Sequence, residues 1–125
     1  ARNAAMDYEE DYDEEIMEPN FWLSCMLIDK GAMCKQVRGD NETCYISERG
    51  RSCPTEILEI LAEHNAEGRP IWKPMHMQPV FQQYDFIGEG VSEQLFEYGL
   101  CLPSDSKMTD LDLERVVNIV IRGFQ

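Results

Sequence analysis

Arg69-Pro70-Ile71-Trp72-Lys73-Pro74-Met75-His76-Met77-Gln78-Pro79-Val80-Phe81 is the stretch on which the reading of this chain turns. Each of its three prolines lacks a backbone N–H and pushes the preceding residue out of the α region. Such a run predicts a stiff extended loop in place of a helix. It presents Trp72, Lys73, His76 and Gln78 with little conformational entropy left to lose, which suits a binding site better than a core.

On the N-terminal side, Cys53 and Pro54 open a predicted helix, because proline is tolerated at the first helical position. Ile57, Leu58 and Leu61 form its expected buried stripe with Ile60 beside it. Glu56, Glu59 and Glu63 are expected to face water, and Glu67-Gly68 to end the helix. Further upstream, residues 20–28 read as a strand apolar on both faces, with Phe21, Leu23, Cys25 and Leu27 on one and Trp22, Met26 and Ile28 on the other. Between them, residues 31–53 are polar and glycine-punctuated, predicting a surface hairpin or loop with a short strand at 43–46.

On the C-terminal side, an irregular stretch leads to a short helix over 91–98 and through Gly99 into a brief strand at 100–102. Thr109 and Asp112 have the spacing of a capping box at the start of a last helix over 110–122. Leu113, Val116, Val117, Val120 and Ile121 make its predicted buried stripe, placed against the strand at 21–27. The order of elements predicts an α+β fold: a small two-layer domain with a short, mostly antiparallel sheet of about three strands and helices packed on one face.

The 125 residues suffice for one domain with a modest core. The net charge of −13 is concentrated in residues 1–19, where eight carboxylates from Asp7 to Glu18 meet no cation after Arg2. That acidic leader predicts disorder and repels nucleic acid and anionic membranes. Neither a spanning apolar run nor a basic signal sequence is visible, so a soluble cytoplasmic protein is expected. The five cysteines include no Cys-x-x-Cys pair and only two histidines accompany them. Free thiols are therefore expected, with no redox dithiol spacing and no metal site. A zinc clip from Cys34, Cys44 and Cys53 is disfavoured by their wide separation.

The proline-rich run, followed by Val91-Ser92-Glu93-Gln94-Leu95-Phe96-Glu97-Tyr98-Gly99-Leu100-Cys101-Leu102-Pro103-Ser104, resembles the C-terminal small domain of pyridoxal-phosphate-dependent nucleotide-sugar aminotransferases. These are the DegT/StrS-like group, of aspartate-aminotransferase fold type. The resemblance runs from about residue 20 to residue 122. It implies an aminotransferase small domain over 20–125, carrying an inserted loop at about 32–53. In the full-length family, it implies amino transfer to a keto-sugar nucleotide in bacterial polysaccharide or glycoprotein synthesis.

Carried over by position, Arg69, Trp72, Lys73, His76 and Gln78 become candidates to bind substrate. Arg69 and Lys73 would meet phosphates, His76 and Gln78 would hydrogen-bond the sugar or nucleotide, and Trp72 would pack beside them. Structural alternatives stay open for each: Trp72 and Phe81 suit core aromatics, His76 suits a satisfied structural histidine, and Arg69 suits a brace on a local carboxylate.

None of Lys30, Lys35, Lys73 and Lys107 lies in a segment resembling the family's Schiff-base motif, and no glycine-rich loop opens a helix. The expectation is a fragment or truncated form that closes over an active site without being catalytic alone, with no catalytic residue and no bound cofactor of its own. Its expected partner is a large-domain companion, or a second copy, docked on exposed apolar surface. The alternative is a standalone binding or interaction module that keeps the small-domain fold.

Overall fold

The computed structural model describes residues 20–125. The expected disorder of the acidic leader lies outside the described residues. Five strands and three helices follow in the order β1 (Ser24–Leu27), β2 (Lys35–Arg38), β3 (Thr43–Ile46), α1 (Pro54–Glu63), β4 (Arg69–Pro70), α2 (Val91–Tyr98), β5 (Gly99–Leu102) and α3 (Asp110–Arg122). The fold is α+β. An antiparallel sheet of order β1-β5-β4 forms its centre, and β2 and β3 pair separately as a hairpin.

Local signals account for most element ends. Cys53 caps α1, its sulfur accepting the Glu56 N–H at 3.5 Å, and Pro54 opens the helix. Thr109 and Asp112 form a complete capping box, the Thr109 hydroxyl accepting from the Asp112 N–H while the Asp112 carboxylate accepts from the Thr109 N–H. The Asp112 carboxyl is held below its usual range, first by the Thr109 backbone N–H and then by its hydroxyl.

Four expectations need correction. The strand expected over 20–28 forms only at Ser24–Leu27. Met26 and Ile28 are buried, but Phe21 is 77% and Trp22 68% exposed. Phe21 has φ of 49°, which breaks the extended backbone before β1.

α1 stops at Glu63, short of Glu67-Gly68. Asn65, with φ of 53°, takes the left-handed conformation expected of the glycine. The end is held from α3: Arg115 donates to the His64 carbonyl, and Arg122 Nη1 lies 2.8 Å from His64 Nε2.

Glu56 points inward. It is 7% exposed, and accepts hydrogen bonds from Ser52 Oγ at 2.8 Å and from the Ser47 hydroxyl. Those partners come from the hairpin segment and lift the cost of burying a carboxylate without donors.

The buried stripe of α3 is rotated from the expected one. Val116 and Ile119 are buried and Val120 is partly buried, whereas Leu113, Val117 and Ile121 are exposed. This face packs against α1 in a core that also holds Ile57, Leu61, Met26, Ile28 and Leu100. The sheet strand β1 is thus not the main support of α3.

The hairpin expectation for 31–53 is met at β2 and β3, but its flanks reach inward. Cys34, Ser52 and Cys53 are buried, and Ala32 and Met33 pack on the core. No helix among the described residues is long and apolar enough to cross a membrane.

Candidate functional site

The proline-rich loop is rooted on the central strand. Arg69 pairs with Cys101 and Pro70 with Leu100, so its first two residues form β4 rather than free loop. Gly68 allows this departure from α1. A Cβ there would stand 2.8 Å from both the Leu58 and Leu61 side chains, inside van der Waals contact. After Pro74 the chain makes a 3₁₀ turn at Met75–Met77, and further turns follow, closed by the Phe81 N–H on the Gln78 carbonyl and the Tyr84 N–H on the Phe81 carbonyl.

The five residues singled out in the sequence all lie on this loop, and each has a local partner. Arg69 forms an ion pair with Glu67, both side chains about three-quarters exposed; such a pair contributes about 0–1 kcal/mol. Trp72 is 63% exposed, so it is not a core aromatic. Its ring centroid lies 6.0 Å from that of Trp22, tilted by 39°. Lys73 pairs with Asp40 beyond the end of β2, tying the loop to the hairpin.

His76 is pinned on two sides. Its Nε2 lies 2.8 Å from Glu93 Oε1 in the first turn of α2, and its ring stacks on Phe86 with centroids 3.6 Å apart. Glu93's carboxyl is held below its usual range, first by its own backbone N–H and then by the Ser92 hydroxyl and His76. Gln78 Nε2 donates to the Lys73 carbonyl at 3.1 Å and closes the loop on itself. The loop therefore directs Trp72, Lys73 and His76 toward three different neighbours.

Lys73 also lines a cleft of about 500 Å³ between the hairpin, α1 and the loop. Arg38 of β2 shares it, and this residue was not singled out in the sequence. Its guanidinium stands 4.3 Å over the Phe96 ring and donates to the Phe96 carbonyl. Burial pulls its pKa below the ordinary arginine value. Asp40 and Glu59 balance the two cations, while Thr43 and Thr55 add hydroxyls. A cleft so lined offers hydrogen bonds of both senses to a polar, hydroxyl-rich ligand. Nothing local in Gln36-Val37-Arg38-Gly39 distinguishes Arg38 from a surface arginine, because its aromatic partner lies in α2.

Lys73 is engaged by Asp40, and Lys30 stands 5.2 Å over the Tyr98 ring. The N-terminus of α1 is taken up by Cys53 and Pro54, leaving no open backbone cradle for a phosphate there. Among the described residues, no group of three or more histidine, cysteine, aspartate or glutamate side chains is placed to hold a metal ion.

A small α+β domain with a three-stranded antiparallel sheet and a proline-rich loop rooted on its central strand is the class of structure these features define. The chain belongs to the DegT/DnrJ/EryC1/StrS aminotransferase family, which it matches over residues 38–121. It is 43% identical over 109 residues to the "Putative pyridoxal phosphate-dependent aminotransferase EpsN" of Bacillus subtilis (strain 168). That match takes in 84% of this chain and 23% of the relative, so the chain spans about a quarter of the relative's length.

Proposed function

We propose that this chain is the small-domain portion of a pyridoxal-phosphate-dependent nucleotide-sugar aminotransferase, working in the cytoplasm. The observation that carries this reading is the family match over 38–121, which includes the whole proline-rich loop and the α2–β5 segment. In this reading the domain closes over an active site whose cofactor is held by the part of the enzyme that the chain does not cover.

The loop supplies position rather than chemistry. Trp72 offers an aromatic face to a base or sugar ring, and Lys73 and Arg38 offer charge to the phosphates. His76 and Gln78 hold the loop in shape through Glu93 and the Lys73 carbonyl. The exposed aromatics Phe21 and Trp22 form part of the surface on which the rest of the enzyme docks, since apolar patches of this kind attract partners.

A chimera tests the reading: this chain replaces the matching C-terminal stretch of the Bacillus relative. The expected result is a folded protein that binds pyridoxal phosphate and transfers an amino group from glutamate to a nucleotide-linked keto sugar. Trp72→Ala in that chimera should raise KM for the sugar nucleotide. A folded, cofactor-loaded chimera that transfers nothing would refute the proposal. Tight binding of a nucleotide sugar by the unfused chain would favour a standalone binding module instead.

A further inference from the structure

β1 and β5 lie antiparallel with Cys25 directly opposite Cys101. The Ile28 N–H donates to the Tyr98 carbonyl at 2.9 Å, one rung beyond Leu27–Gly99. Hydrogen-bonded and non-hydrogen-bonded rungs alternate along an antiparallel ladder. Counting back from Ile28, Met26–Leu100 is a hydrogen-bonded rung and Cys25–Cys101 is not. On such a rung opposing Cα atoms stand about 4.5 Å apart and side chains approach most closely. That separation lies within the span of about 4.4–6.8 Å that a disulfide bridges. The two sulfurs are 3.6 Å apart, and both cysteines are free thiols.

Access differs between the two. Cys101 is buried, while Cys25 is only half-buried and so reaches solvent. Burial, and then the hydrogen bond with Cys25, pushes the Cys101 thiol up to about 11. The other cysteines lack this combination of neighbour and access. Cys34 and Cys53 are both buried, and burial pushes the Cys34 thiol up to about 12. Cys44 is exposed, but the residue opposite it across the hairpin is Val37.

We propose that Cys25 and Cys101 form a redox-active dithiol, a modification site at which a small aliphatic disulfide installs a cross-strand disulfide. The Cys25 thiolate attacks one sulfur of the small disulfide. Its S–S bond breaks, one small thiolate leaves and takes up a proton, and Cys25 carries a mixed disulfide. Cys101 then loses its proton to solvent and attacks the Cys25 sulfur, expelling the second small thiolate, which is protonated in turn. Two protein thiols are oxidised to one disulfide while one small disulfide is reduced to two thiols.

The position gives the bond a structural consequence. Cys101 sits on the central strand between Cys25 on one side and Arg69 on the other. Oxidation therefore staples β1 to the same residue pair that roots the proline-rich loop.

The test is thiol mapping on the folded chain equilibrated with oxidised glutathione, followed by alkylation, digestion and mass spectrometry. The expected product is a peptide pair linked through Cys25 and Cys101, restored to free thiols by dithiothreitol, with Cys34 and Cys53 left reduced. Cys101→Ser should halt the reaction at a mixed disulfide on Cys25. Adducts on Cys44 without a Cys25–Cys101 link would overturn the proposal. So would a Cys25–Cys101 yield no higher in the folded chain than in the same chain unfolded in urea, since the bond would then owe nothing to the register of β1 on β5. Both overturning outcomes are read on the native sequence, so they do not depend on the Cys101→Ser variant folding.

Discussion

Ile119→Ala is the substitution that most directly tests the packing of α3. Ile119 is 4% exposed and lies in the core with Ile57 and Leu61 of α1, which are 1% and 0% exposed. Truncating a buried isoleucine to alanine loses the transfer energy of the removed methyl groups and leaves a cavity, together about 2–5 kcal/mol. The α1–α3 contact is the main support of the last helix, so little collapse can refill the space, and a value near 3 kcal/mol is expected. A domain of this size has only about 5–15 kcal/mol in total.

Ile121→Ala is the matched control. At 49% exposure it has about half of its side-chain surface left to lose. Full burial of an isoleucine contributes about 1.5–3 kcal/mol, so this change should cost about 1 kcal/mol or less. Urea melts read the difference. With a slope of about 1–3 kcal/mol per molar urea, 3 kcal/mol lowers the midpoint by about 1–3 M. Equal midpoints for the two variants, or a larger loss for Ile121→Ala, would mean that α3 buries the Leu113–Val117–Ile121 face, and the packing described here would be wrong.

Glu56→Ala should destabilise the domain by about 1–3 kcal/mol, because it leaves the fully buried Ser52 hydroxyl without its acceptor, whereas exposed Glu63→Ala should be nearly neutral; thermal melts of the two variants check this. Burial raises the Cys34 thiol from its ordinary 9.0 to about 12, so the stability linked to its protonated form is complete below about pH 9 and is lost as pH climbs toward 12. Urea midpoints at pH 8 and pH 11 under reducing conditions should fall more steeply for the native chain than for Cys34→Ala, and parallel declines would rule this linkage out.

The features legible in the sequence are those fixed by near neighbours. The Cys53-Pro54 start, the Thr109–Asp112 box and the passage from α2 through Gly99 into β5 each depend on residues within a turn of one another. The features that were not legible depend on distant partners. In α3, Leu111, Leu113, Val116, Val117, Ile119, Val120 and Ile121 surround most of the helix, so periodicity alone supports two overlapping stripes. Contact with α1 selects between them. Glu56 reads as a surface residue until Ser47 and Ser52 are brought beside it.

The same division runs through the candidate site. Proline density marks the loop and so finds Trp72, Lys73, His76 and Gln78, because backbone stiffness is a local property. What those side chains meet is set by topology. Asp40 arrives from the hairpin and Trp22 from the residues before β1, while Glu93 comes from α2. Cys25 and Cys101 are 76 residues apart, and only the register of β1 on β5 makes them neighbours. Counting cysteine spacings along the chain therefore misses the closest thiol contact between strands, while a rung-by-rung reading of the sheet finds it. The loop's anchorage has the same origin: β5 holds Arg69 and Pro70, the hairpin holds Lys73 and α2 holds His76. A substitution at Asp40 or Glu93, outside the proline-rich run, should for that reason loosen the loop more than a change at exposed Val80 within it.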